Sequence, residues 1–133
     1  MRRGKSYSDF LSQEDRLQKQ CITLLEYQYP ELIWYHSPSE GKRTRFEQFK
    51  FNYLGGKRKA GFPDIVIFNP ITGHELNNRG LAVELKVIYA NGKKNYPSTA
   101  QKKWLADLAA TSWRSEVVYT FEDFQRLLKE CYG

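Results

Sequence analysis

The stretch from Gly80 to Ile88, Gly-Leu-Ala-Val-Glu-Leu-Lys-Val-Ile, constrains the fold more than any other part of the chain. Its β-branched residues and bounding glycine predict a strand. Alternate side chains of a strand face opposite ways, so Leu81, Val83, Leu85 and Val87 share one face and Ala82, Glu84, Lys86 and Ile88 the other. Both faces are partly apolar, which predicts a central strand covered on both sides. An ionised Glu84 is costly there unless it is paired or bound to a cation. A Glu84–Lys86 ion pair at the sheet margin and a carboxylate held for chemistry are the two readings of this strand alone.

Asp64-Ile-Val-Ile-Phe68 is the second strong strand signal, and the two segments are expected to pair antiparallel. Pro63-Asp64 then opens the earlier strand with a carboxylate that can converge on Glu84. Two hard oxygen ligands so close repel each other unless a divalent cation lies between them, and Mg²⁺ takes one or two protein carboxylates readily. Lys86, on the Glu84 face, can orient an attacking water or offset charge on a transferring phosphate. Taken singly, an Asp at this place is more often a turn or strand-initiating residue than a ligand.

Around this pair the periodicities predict a mixed sheet flanked by helices. Leu17, Cys21, Leu24 and Leu25 form an apolar helical stripe, giving a first helix from about Ser8 to Gln28 that Pro30 closes. Glu31 to His36 reads as a short strand, and Phe46, Phe49 and Tyr53 suggest a short helix before Gly55-Gly56. Ser98-Thr-Ala-Gln101 has the form of a capping box, with Gln101, Leu105 and Leu108 on one face of the helix it begins. Trp113 to Tyr119 is expected as a strand. Phe124, Leu127, Leu128 and Cys131 mark the buried stripe of a last helix. At 133 residues the chain is expected to form one domain, and its two cysteines are too few for a disulfide framework or a four-ligand zinc site. No apolar run reaches the length of a membrane span and the basic start lacks a signal-peptide core, so an intracellular, cytoplasmic protein with no membrane partner is expected.

The net charge of +6 is concentrated. Lys42, Arg43, Arg45, Lys50, Lys57, Arg58 and Lys59 face a single acid, Glu47, between positions 42 and 59, while the remainder of the chain is balanced. Such a field suits a polyanion, phosphate backbones above all, although a solvated basic loop has the same composition.

Pro63-Asp64 followed by Glu84-Leu85-Lys86 resembles the PD-(D/E)xK nuclease signature. Lys59-Ala-Gly-Phe-Pro-Asp-Ile-Val66, Gly80 to Lys86, and Ser98 with Gln101 and Trp104 extend the similarity to the VRR-NUC (virus-type replication-repair nuclease) branch, over about residues 12 to 123. The resemblance implies an α/β, single-domain restriction-endonuclease-like core of order αβββαβ. It also implies a metal-dependent nuclease in which Asp64 and Glu84 are metal ligands, Leu85 contributes its carbonyl, and Lys86 is the catalytic lysine. The family's acid on the first helix matches Glu14, which lies three residues before Leu17 and faces inward by periodicity; favouring the helix N-terminus is its structural alternative. The family glutamine matches Gln101, for which the site role is favoured, although its place in the capping box is a purely structural explanation.

The expected function is therefore a Mg²⁺- or Mn²⁺-dependent endonuclease that hydrolyses phosphodiester bonds in DNA. Branched DNA such as Holliday junctions is the implied substrate and a homodimer the implied assembly. Lys42, Arg43, Arg45, Lys57, Arg58, Lys59, Lys93 and Lys94 are the candidate DNA-contacting cations. The segment Tyr89 to Pro97 is longer than the family pattern suggests, and Thr111-Ser112 stand where a helix-ending glycine is common. Two alternatives stay open: a catalytically silent nucleic-acid-binding module of this fold, and a sequence-specific restriction-type endonuclease. Metal-free acid–base cleavage by His36 and His74 is disfavoured by their placement at a strand end and in a connection.

Overall fold

The computed structural model describes residues 11–37, 44–56, 60–73 and 75–133. In chain order the elements are α1 (Gln13–Gln28), β1 (Trp34–His36), α2 (Arg45–Tyr53), β2 (Ile65–Ile67), β3 (Leu81–Leu85), α3 (Thr99–Ala110), β4 (Arg114–Val118) and α4 (Phe121–Tyr132). They form a four-stranded sheet of order β1-β2-β3-β4. The first two pairings are antiparallel, and β3 runs parallel to β4 through the α3 crossover. This is the mixed α/β architecture expected from the sequence.

The central position of β3 explains its composition. All five of its residues are buried. Leu81, Val83 and Leu85 face a core shared with Leu17, Cys21 and Leu25 of α1 and Phe124, Leu128 and Cys131 of α4. Each large aliphatic side chain buried this way contributes about 1.5–3 kcal/mol. The helix α3 packs on β3 and β4 without touching α1 or α4, which pack on each other. The sheet is thus covered on two faces, and Glu84 and Lys86 are held under one of them. The two cysteines are core residues, as expected, and burial pushes the Cys21 thiol up to about 12.

Several boundaries differ from the periodicity. The first helix starts at Gln13, because the Ser12 hydroxyl accepts the Asp15 N–H while the Asp15 carboxylate accepts the Ser12 N–H, a reciprocal cap. Residues 8–10 lie outside the described residues. The strand β1 is shorter than Glu31–His36, since the Asn69 side chain takes the Ile33 N–H at 2.6 Å in place of a strand partner. Beyond Leu85 the Lys86 N–H still bonds Val118 O, but Val87 and Ile88 peel away to meet Asn95 and Lys94. The long segment after β3 is thus a tight hairpin turned at Gly92. At the end of α3, Ser112 adopts φ 71°, the left-handed conformation that usually falls to glycine, and the Trp113 N–H closes the helix on Leu108 O.

Candidate active site

Three elements deliver one carboxylate each. Register sets the first two: Ile65 lies opposite Val83, and one residue further out Asp64 comes opposite Glu84. The Asp64 Oδ2 accepts the Leu85 N–H at 2.7 Å, which locks this pairing. Glu14 arrives as the second residue of α1. The Gln13 amide donates to Ile88 O at 2.8 Å and so ties the first turn of that helix to the end of the β3 segment. Oxygens of Glu14, Asp64 and Glu84 all lie within 4.8 Å of one another.

The electrostatics of this cluster are strained. Glu84 is 1% and Lys86 7% exposed, and their charged atoms stand 3.9 Å apart. One ammonium faces three carboxyls. Burial, then the Asp64 charge beside it, pushes the Glu84 carboxyl up to about 9, against a smaller lowering by Lys86. Burial also raises Asp64, although the Leu85 N–H, Glu84 and Lys86 pull the other way. Glu14 is raised by burial and by Asp64. Glu84 Oε2 is buried and has no hydrogen-bond partner. Both readings of Glu84 are therefore partly realised: it pairs with Lys86, but that pairing leaves one oxygen and most of the negative charge uncompensated.

A hard divalent cation fits this donor set. It has three carboxylates on three different elements, an orphaned buried oxygen among them, and carbonyl and carboxylate oxygens are the donors such ions take. Leu85 lies between the acid and the lysine, with its N–H spent on Asp64. The Gln101 side chain is engaged in the cap of α3, where its Oε1 accepts the Ser98 N–H at 2.7 Å. The start of α3 nevertheless lies against Gly61, where a Cβ would meet the Ala100 and Gln101 backbone at 2.9 Å. Gln101 is thus near the Pro63-Asp64 turn but held by its own helix end.

The cations expected to meet DNA have varied settings. Arg45 is exposed on α2 and Lys93 is exposed on the hairpin. The Lys94 ammonium sits 5.2 Å from the centre of the Tyr119 ring. Lys42, Arg43, Lys57, Arg58 and Lys59 lie outside the described residues, as does His74. By register His36 lies on the sheet face opposite Asp64 and Glu84, and it contacts Gln18 of α1.

Three positioning groups were not foreseen from the sequence. Gln13 anchors the helix that carries Glu14. Ser37 holds the strand entry, with its hydroxyl on Pro63 O and its N–H on Asp64 O, both at 2.8 Å. The Trp104 indole donates to Ala60 O at 3.0 Å and stacks edge-on against Phe62, fixing the approach to Pro63. Only Trp104 had a sequence signal, its place in the extended motif. A polar residue that bonds a distant carbonyl has no periodic signature.

A mixed sheet covered by helices on both faces, with an Asp and an Glu-x-Lys converging from adjacent strands, defines a PD-(D/E)xK-like core. No protein-family profile matches the sequence, and no curated protein is similar to it at a significant level. Among solved structures the chain is similar to a VRR_NUC domain protein, with a TM-score of 0.66 and 21% identity over 92% of this chain and 89% of that one. The likeness at this identity is one of fold, and the fold is of the VRR-NUC type. Among the described residues no helix is long and apolar enough to cross a membrane.

Proposed function

We propose that the protein is a divalent-metal-dependent endonuclease acting on phosphodiester bonds in DNA, with branched DNA as its preferred substrate. The observation that carries this reading is the convergence of Glu14, Asp64 and Glu84 beside the buried Lys86, with one Glu84 oxygen left without a partner. The VRR-NUC-type fold supports it. Glu14, Asp64, Glu84 and the Leu85 carbonyl would hold Mg²⁺ or Mn²⁺. When bound, that ion supplies Lewis-acid polarisation of the phosphate and a water of lowered pKa.

The remaining work falls to the chain. Lys86, held beside Glu84, presents its ammonium where charge builds on the transferring phosphate and orients the incoming water. The burial of Glu84 and Lys86 strengthens each of these interactions. Gln101 would help place the water, a role that requires its side chain to leave the Ser98 N–H it holds. Basic residues along 42–59, with Lys93 and Lys94, hold the backbone.

The homodimer belongs to the same proposal. The one acid cluster among the described residues serves one strand, and paired cuts across a symmetric junction call for two protomers about a two-fold axis. Of the aromatic residues outside the helical stripes, Trp34 packs against the core, Trp113 meets Phe68 edge-on, Phe51 is half-buried, and Tyr35 is exposed, so Tyr35 is the one open to a second protomer.

The test is cleavage of labelled linear, flap and four-way-junction DNA in Mg²⁺, Mn²⁺ or chelator, with light scattering at the same concentration. Metal-dependent nicking that favours the junction supports the reading. Full activity in chelator refutes it, binding without cleavage in either metal supports the silent module, and cuts at one fixed sequence support the restriction-type enzyme.

A further inference from the structure

The helix α2 stands apart from the rest of the fold. None of its residues is fully buried, Phe51 being half-buried, and no other helix or strand packs on it among the described residues. Phe46, Phe49 and Tyr53 fall at i, i+3 and i+7, the spacing of a core-facing stripe, yet they are 72%, 65% and 79% exposed. The Phe49 and Tyr53 rings stack with centroids 6.0 Å apart. A stripe left in water at this cost to solubility marks a surface that something covers.

Its chemistry says what. All three side chains are aromatic, and none is Leu, Ile or Val. At 100° per residue Arg45 borders the stripe on one side and Lys50 on the other. The whole helix sits inside the stretch that carries the net positive charge of the chain. A second copy docking here through the same helix would bring two such stretches together, like charge on like. A polyanion built of flat rings satisfies both features: bases stack on aromatic faces while phosphates take the flanking cations. In a closed duplex each base face is already covered by its neighbours, so only unpaired bases are open to stacking.

We propose that Phe46, Phe49 and Tyr53 form a stacking platform for unpaired nucleobases, with Arg45 and Lys50 on the adjoining phosphates. The inference rests on the nuclease reading above and narrows its substrate to DNA with an open or single-stranded segment beside the cut. Tyr53 and Asp64 are separated by so short a piece of chain that they lie at most about 40 Å apart, roughly one duplex turn.

The test is binding measured by fluorescence anisotropy in chelator, where no cleavage confuses it. Probes are a labelled single strand, the same strand with abasic sites, the matching closed duplex, and that duplex with an unpaired bubble. Variants are F46A/F49A/Y53A and F46L/F49L/Y53L, all at exposed positions, with circular dichroism and light scattering on each. Wild type is expected to bind the ordinary strand more tightly than the abasic one. Both triple variants should lose at least tenfold on the single strand and bubble, stay within twofold on closed duplex, and no longer tell ordinary from abasic strand. Unchanged single-strand affinity, an equal loss on duplex, rescue by leucine, or a fall from dimer to monomer mass overturns the proposal, the last two in favour of an apolar protein contact. Failure of wild type to bind any probe overturns the nucleic-acid reading itself.

Discussion

Replacing Glu84 by Gln gives the sharpest view of the acid cluster, because stability and pH then report on one buried proton. In the metal-free protein the Glu84 carboxyl is pushed from an ordinary 4.5 to about 9 by burial and by Asp64. A carboxyl whose native pKa is raised keeps its proton when the unfolded chain has lost it, so its contribution is complete below about pH 4.5 and is lost as pH rises towards 9. The slope is at most about 1.4 kcal/mol per pH unit, and the whole window is worth on the order of 6 kcal/mol as a ceiling. Between pH 6 and 8 the wild type should therefore lose up to about 3 kcal/mol more than Glu84→Gln, which is neutral throughout. Urea unfolding of both proteins in chelator at pH 6, 7 and 8 measures the difference. Sharing of the proton with Asp64 lowers the slope without changing its sign. Parallel stability profiles for the two proteins would refute the buried proton, and with it the electrostatic strain of the site.

Mg²⁺ or Mn²⁺ should raise the melting temperature of the wild type, more at pH 8 than at pH 6, because binding must displace protons from the carboxyls; calorimetry in two buffers of different ionisation enthalpy counts those released. Asp64→Ala and Asp64→Asn should both abolish cleavage, but Ala also strands the Leu85 N–H and should cost about 1–3 kcal/mol that Asn spares, as urea midpoints would show. Gly61→Ala should destabilise by roughly 2 kcal/mol or more, since φ is +83° and the new Cβ would strike the α3 backbone; a melting point within a degree of wild type would show that the turn yields. Ser112→Gly should stabilise by up to about 1 kcal/mol by relieving φ 71°, a gain of a few degrees in thermal melting.

What the chain alone determined lies in its short-range patterns. The alternation of Gly80 to Ile88 is enough to make this strand central, because only a strand covered on both faces can bury Leu81, Val83 and Leu85 on one side and Ala82 on the other. The stripes of α1 and α4 are likewise set by local spacing, as is the cap at Ser98. Asp64, Glu84 and Lys86 were legible for the same reason: charged groups at strand positions that burial penalises. The aromatic stripe of α2 was legible as a helix and misleading as a core face. Spacing reports which side chains share a side, and only packing decides whether that side is covered. Glu14 was named by the resemblance and by its inward place on the helix, but its approach to the strand acids was decided by tertiary structure, since a hydrogen bond from Gln13 to Ile88 spans a separation that no local pattern encodes. It also left Glu84 Oε2 without a partner, because desolvation depends on what the whole fold places around an atom.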